Sequence, residues 1–436
     1  MIEYKAIGEI CPEILNINDE YKENRYMWTL CRDFIKGDAS VKRKNELYLP
    51  MPAGFILKED AALALTAQSF NASYNFDKKY EFLGDSRLDD PNYHPNRPYS
   101  IYKHGAKTPS ILKHTINGML GLIIKKPMQF LYSDPEKNTK DRKEKEKINK
   151  LNNFNEQIWL EKVRKIIVTA LSYGRCFVTL DQNNNPVTYD ALDATQWDIG
   201  ESVVFLESKE QRDSATALDN REYVRISIQD KITHYERFDS SAKLLESKTT
   251  KKFKSLPVEC IGSTDLDWEV DLLPLEGVAT CALHIYKKTA DLSYSEFSSC
   301  VPTMIMTGVD DDSGNTLIGG GVALTITNDQ AKVYYALTDS NALQHVKLHI
   351  DSLFEEAKSY GASLLGGDKK EVESAEAIRL RQGAAGASLS TLTRTVERGI
   401  NRLLNVAMID SKFAINFDLT ENYLTKQEQK VLLDTW

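Results

Sequence analysis

"LLGGDKKEVESAEAIRLRQ", residues 364–382, joins two stretches of helical pattern through a short charged segment that begins with paired glycines. Gly361 and Gly366 have the spacing of a phosphate-binding loop, which requires Gly-x-x-x-x-Gly-Lys-Ser/Thr so that backbone amides, a lysine and a hydroxyl meet phosphate and metal. Gly367 and Asp368 stand where Lys and Ser/Thr are needed, so the segment lacks that chemistry. It reads instead as a connection between two long helices.

Upstream, "DSNALQHVKLHIDSLFEEAKSYGASLL" (339–365) opens on an Asp339/Ser340 cap and places Leu343, Val346, Ile350, Leu353, Ala357 and Leu364 on one face. Downstream, Ser374 is the expected N-cap and Glu376 lies in the first turn, where the helix dipole favours negative charge. That helix is expected to run to about Ala407, with Leu389, Leu392, Val396, Ile400, Leu403 and Ala407 stepping by three or four. Arg394, Glu397, Arg398 and Arg402 fall off that stripe. Gly383 and Gly386 weaken its middle, each by up to about 1 kcal/mol against alanine, and predict a bend.

Further towards the N-terminus, "LEGVATCALHIYKKTADLSYSEF" (275–297) is helical, with Val278, Ala282, Ile285 and Leu292 on one stripe. Residues 300–327 read as two strands around an Asp/Gly turn. "FNEQIWLEKVRKIIVTALSYG" (154–174) is an amphipathic helix ended by Gly174, and "RCFVTLD" follows as a strand. From there to about residue 270 the pattern is β-rich, with "SVVFLES", "EYVRISI" and "KITHYERFD" as separate strands. "TPSILKHTINGMLGLIIKKP" (108–127) is helical, with Pro109 in its first turn and Pro127 closing it. Residues 1–90 mix short helical pieces with loops, and "DDPNYHPNRPY" (89–99) is an irregular connection. The run 133–150 carries nearly balanced charges, which favours a solvated surface segment over a basic nucleic-acid arm. The fold class is therefore α+β and helix-rich, with long helices and one β-rich segment.

Composition narrows the function classes. The chain has 436 residues, 42% hydrophobic and 27% charged, as ordinary globular chains do, and room for several domains. No window approaches the roughly 18 uninterrupted apolar residues of a membrane span. "MIEYKAIGEICPE" does not read as a signal peptide. Six scattered cysteines without CxxC pairs suggest reduced thiols in a cytosolic product and argue against a zinc ribbon. A net charge of −8 argues against tight non-specific DNA binding, which draws on counterion release by basic surfaces. An acidic wall along which DNA slides remains compatible with it.

Asp310, Asp311 and Asp312 before Ser313-Gly314 lack the alternate ligand spacing of a calcium loop and read as an acidic hairpin turn. His345 and His349 lie four apart on one helix, but without the Glu of HExxH they do not form a zinc-protease motif. No GxSxG and no paired-carboxylate or Cys/His arrangement is readable. No enzyme activity, metal or cofactor is expected.

Taken in order, four segments resemble the portal proteins of tailed bacteriophages, in a group often catalogued as a phage domain of unknown function. They are "TPSILKHTINGMLGLIIKKP", "ALSYGRCFVTLDQNNNPVTYDALDATQWDI", "ALHIYKKTADLSYSEFSSCVPTMIMTGVD" and "AKSYGASLLGGDKKEVESAEAIRLRQGAAGASLSTLTRTVERGINRLLNVA", together covering about residues 95–408. The second carries a Gly-Arg, strand, Asp, Pro, Tyr-x-Ala, Trp succession, and the fourth a Glu-Ser-Ala-Glu-Ala entry and a Ser-Leu-x-x-Leu continuation. Residues 1–90 align with no motif of that group, and the chain stops at "TKQEQKVLLDTW", where such portals often continue into a crown.

The resemblance implies a portal fold with wing, stem and clip regions in a ring of usually twelve subunits at one capsid vertex. The wing would be 1–274, the stem helices 275–299 and 339–365, and the clip 300–338. A tunnel loop would occupy 366–373, a long helix 374–408, and the start of a possible crown 409–436. Gly366, Gly367, Asp368, Lys369, Lys370, Glu371 and Glu373 would then face DNA in the channel. Implied partners are further copies of the chain, the major capsid protein, terminase during packaging, a tail or adaptor protein, and the double-stranded DNA that is packaged and ejected. No membrane is implied, and the place of action is the virion after synthesis in the host cytoplasm. The alternatives are a nucleic-acid-processing enzyme with an unrecognised site and a different head-completion factor. Most such factors are much shorter.

Overall fold

The computed structural model describes residues 7–49, 102–131, 154–181, 183–208, 221–300, 303–307, 332–336, 340–361, 375–409 and 411–417. The chain divides into two compact units, one made of residues 1–36, 110–280 and 357–436, the other of 37–109 and 281–356. Helix and sheet are mixed in a way compatible with an α+β class.

In the first unit, helices α1 (Asp19–Lys36), α4 (Ile111–Ile123) and α5 (Glu156–Tyr173) precede the β-rich region. The short helices α2 (Asp38–Arg43) and α3 (Asn45–Tyr48) lie in the other unit. Helix α4 starts two residues after Pro109, so that proline precedes the first turn. α5 keeps its sequence-predicted limits for local reasons. The Asn155 side chain accepts the N–H groups of Gln157 (3.1 Å) and Ile158 (3.3 Å), satisfying two orphan donors at the N-terminus. Gly174 takes the left-handed conformation at φ 74° that ends the helix. Between these caps Val163, Ile166, Ile167 and Ala170 are completely buried along one stripe. The chain then enters β2 (Arg175–Leu180), all six residues of which are buried.

Strand β2 is the centre of a three-stranded antiparallel sheet, between β3 (Pro186–Tyr189) and β9 (Val258–Gly262). The strands between form a five-stranded antiparallel meander: β4 (Ala194–Asp198), β5 (Ser202–Ser208), β6 (Arg221–Gln229), β7 (Ile232–Phe238) and β8 (Leu244–Thr250). Each strand pairs with its sequence neighbour, as short connections favour. Residues near the N-terminus close one end of this meander. Ile10 bridges Lys243, and Cys11 and Ile14 pack with Val204, Phe238, Ala242 and Leu244.

The last long helix, α8 (Ala375–Val406), is continuous in sequence through Gly383 and Gly386. Leu389, Leu392, Val396, Ile400, Leu403 and Ala407 are all buried, as their spacing predicts. α8 packs on β9, α4 and α5, and α1 also packs on α4 and α5. Gly399 lies against β9 so closely that a Cβ there would come within 2.7 Å of Ile261. Strands β1 (Gln129–Leu131) and β12 (Lys412–Ala414) pair with Phe130 opposite Phe413, beside the rings of Phe154 and Trp159.

The second unit is built on an antiparallel helical hairpin. Its arms belong to α6 (Glu276–Cys300) and α7 (Ser340–Tyr360), and the boundary between units crosses both helices. Ile285, Ile350 and Leu353 form its buried core, with Leu292, Val346 and Phe354 partly buried against it. Lys347 pairs with Glu296 across the two helices at 3.0 Å. Between the helices lie β10 (Thr303–Thr307) and β11 (Lys332–Ala336), which pair antiparallel. The sequence placed both strands within 300–327, but the partner of the first strand is 332–336. Asp310, Asp311, Asp312 and Gly314 lie outside the described residues. Tyr102 donates to the Asp291 carboxylate (2.9 Å), and Gly105 approaches Ser293 where any Cβ would clash.

Candidate functional site

The seven residues expected to face DNA, Gly366, Gly367, Asp368, Lys369, Lys370, Glu371 and Glu373, lie outside the described residues, as do the charge run 133–150 and the Ser374 cap. The structure describes the roots from which that segment departs, and these lie in the first unit.

Helix α7 ends at Tyr360, and Gly361 donates its N–H to Ala357. A Cβ on Gly361 would stand 2.8 Å from Thr115 Cγ2 and 2.9 Å from Val278 Cγ2. A Cβ on Gly277 would stand 2.8 Å from the Tyr360 ring. These two glycines let the end of α7 lie directly against the beginning of α6, with Leu275, Val278 and Ala357 buried around them. The sequence reading extends the helix to residue 365; it ends at Tyr360, with Gly361 in a turn and residues 362–365 outside the described residues.

Beside this contact is a cleft of about 390 Å³. Met119, Leu171, Leu389 and Leu392 supply apolar wall, while Ser263, Thr264, Ser388 and Thr391 supply hydroxyls. Leu272 and Tyr360 stand exposed at it. Among the described residues no carboxylate, amine, imidazole or thiol lines the cleft, and those that do line it offer apolar contact and hydroxyl hydrogen bonding.

The loop from β9 to α6 forms part of this wall and is held by carboxylates of its own, Asp271 reaching furthest back along it. Asp271 accepts the Thr264 N–H (2.8 Å) and lies close to the Ser263 hydroxyl (3.4 Å). A Cβ on Gly262 would overlap the same carboxylate, so glycine is required there. Thr395 of α8 donates to the Thr264 carbonyl (2.9 Å), tying the loop to the long helix.

The Gly-Arg…Tyr-x-Ala…Trp succession is a packing unit. The Arg175 guanidinium is fully buried, 4.4 Å from the Trp197 ring centre and 4.7 Å from that of Phe177. It donates to the Trp268 carbonyl (3.1 Å), while its Nε and Nη1 have no protein partner. Tyr189 stacks on Phe205 at 4.0 Å and donates to Glu207. The Asp181 carboxylate accepts the N–H groups of Asn183 and Asn185, building the turn before Pro186.

One acidic pair lies deeper. In the turn between β3 and β4, each of Asp190 and Asp193 accepts the other's backbone N–H at 3.1 Å. Burial, with the Asp190 carboxylate beside it, raises the Asp193 carboxyl to about 7. Burial likewise pushes the Cys31 thiol up to about 12, and Cys176 and Cys260 upwards, so these thiols are protonated packing groups. The cysteines at 11, 31, 176, 260 and 281 are free. His345 and His349 are exposed on α7, and no group of three metal-ligating side chains occurs among the described residues.

Sequence reasoning missed Gly277 and Asp193, and weighed Gly361 only for its phosphate-loop spacing and not for its packing. Their isolated glycines and the closely spaced acids are visible in the sequence, but what they touch is not.

No helix among the described residues is long and apolar enough to cross a membrane. No curated protein matches the chain. Among solved structures, one chain of "Neck of empty GTA particle computed with C6 symmetry" is similar, at 11% identity and a TM-score of 0.40, covering 77% of this chain and 93% of that one. Residues 274–409, from just before α6 to just after α8, match the family model described as "Domain of unknown function (DUF4055)".

Proposed function

We propose that this chain is the portal subunit of a tailed-phage particle, a structural protein of the virion without enzyme activity of its own. Its copies form a closed ring, of twelve in the usual case, at one capsid vertex. DNA passes through the channel during packaging and ejection, with terminase docking during packaging and a tail or adaptor protein afterwards. The observation that carries this reading is the order of elements in residues 276–406: helix, β-hairpin, antiparallel helix, glycine-rich charged connection, long helix. That order falls on the residues whose sequence resembles portal proteins. The stem is α6 with α7, the clip includes β10 and β11, and α8 is the helix behind the tunnel loop.

Identical chains meeting head to tail close into rings when the rotation permits. Electron microscopy of the purified chain is expected to show rings with a central hole. Monomers or dimers at every salt concentration would overturn the proposal. Within it, residues 366–373 face the channel, and Lys369 and Lys370 touch phosphates weakly because Asp368, Glu371 and Glu373 stand among them. Replacing both lysines by glutamate should leave rings intact and change packaging yield or DNA retention. Unchanged packaging would remove the loop from the channel.

A further inference from the structure

Two helices of the first unit carry exposed charges of opposite sign that find no partner within it. On α8, Arg394 and Arg398 are exposed one turn apart, on the side away from the buried Val396 and Ile400. Arg402 continues the row and is held by Glu259 at 2.8 Å. Arg394 and Arg398 have no carboxylate within 4 Å among the described residues. On α1, Glu20 and Glu23 are exposed one turn apart and equally lack a cation, whereas their neighbour Asp19 is satisfied by Lys22 at 2.7 Å. The spacings correspond. Glu20 and Glu23 are separated by a rise of about 4.5 Å and Arg394 and Arg398 by about 6 Å, within reach of long flexible side chains.

We infer that the α8 face bearing Arg394 and Arg398 docks on the Glu20/Glu23 face of α1 in a neighbouring copy of this chain. The inference rests on the ring reading above and names the surface that would join its subunits. The two faces are different patches of one subunit, which is the condition for a head-to-tail contact that propagates around a ring. Arginine suits this role because its planar fork binds carboxylate through two parallel hydrogen bonds. Two exposed arginines one turn apart on α8 are matched in number and spacing by two exposed glutamates one turn apart on α1. DNA phosphate is the competing occupant of the same arginines, and the experiment separates the two.

Three full-length variants are compared with the unmodified chain by electron microscopy and mass photometry at low and moderate salt: Arg394→Glu with Arg398→Glu, Glu20→Arg with Glu23→Arg, and all four together. Circular dichroism and thermal melting establish that each is folded; the exposed sites make this the expected result. Each pair alone should lower the ring population at least about tenfold by placing like charges opposite each other. The fourfold exchange should restore it, which general damage to the fold would not permit. Rings undiminished in the arginine variant overturn the inference, and if DNA retention falls in those rings the face meets phosphate. Two folded pair variants that lose rings without rescue in the fourfold exchange also overturn it. An unmodified chain that forms no rings removes the portal reading itself, a result distinct from either.

Discussion

Replacing Gly361 by alanine should destabilise the first unit, while the same change at Gly277 should be nearly neutral, although both glycines lie at one helix contact. The new Cβ at 361 meets Thr115 Cγ2 at 2.8 Å and Val278 Cγ2 at 2.9 Å, against the roughly 3.5–4.0 Å of relaxed carbon contacts. Each neighbour must retreat by about 0.7 Å, yet Thr115 and Val278 are 0% exposed and Leu275 only 1%, so none has room. Overpacking of this kind costs about 1–3 kcal/mol. Gly361 has no positive φ, so the cost is steric, with no backbone strain added. At Gly277 the obstacle is the Tyr360 ring at 2.8 Å, and that side chain is 55% exposed, with solvent rather than packed core on its outer side. Alanine also loses less backbone entropy than glycine on folding, a gain below about 1 kcal/mol at the second residue of α6 that offsets part of the remaining contact. Differential scanning calorimetry should place the Gly361→Ala melting temperature about 2–6 °C below the unmodified chain, with Gly277→Ala within about 1–2 °C of it. Equal losses in the two variants, or an unchanged Gly361→Ala, would refute the reasoning that immobility of the struck atoms sets the cost.

Arg175→Met should keep stability within about 1 kcal/mol, because a buried guanidinium with two unpartnered nitrogens exchanges well for an apolar side chain of similar volume, while Arg175→Ala should lose about 3 kcal/mol or more to the cavity. Urea titration measures both, and a Met variant as weak as the Ala variant would mean that the charge itself holds the aromatic cluster. Asp193 has a folded value of about 7 against an unfolded value near 4, so its contribution is fully present below about pH 4 and is lost as pH rises through 7. Asp193→Asn should therefore be more stable than the unmodified chain above pH 7, by up to about 4 kcal/mol, with the gap closing towards pH 4; parallel pH–stability profiles would count against it. Asn155→Ala removes the acceptor for two helix N–H groups and should cost about 1 kcal/mol, read as a lower urea midpoint with an unchanged slope.

Periodicity and punctuation by themselves determined the helices. Residues 156–173 begin at an Asn that caps them and end at a Gly in the left-handed region, and both signals are local. The stripe from Leu389 to Ala407 is buried throughout because a long amphipathic helix must turn its apolar side inward, whatever it meets. The chemistry of the 364–382 stretch was equally readable, since a missing lysine and hydroxyl exclude a nucleotide loop without coordinates. Tertiary structure alone decided what meets across long separations. Strand 303–307 pairs with 332–336, which lies beyond the apparent turn, because pairing is settled by register and packing rather than by proximity in sequence. Arg175 looks like a surface residue at the start of a strand, but the Phe177 ring beside it, the Trp197 ring and the Trp268 carbonyl enclose it, the last two brought from far along the chain. Gly277 and Gly361 differ in nothing a sequence displays. What separates them is whether the atom opposite is a buried methyl group or a ring at the surface, and only the folded chain supplies that neighbour.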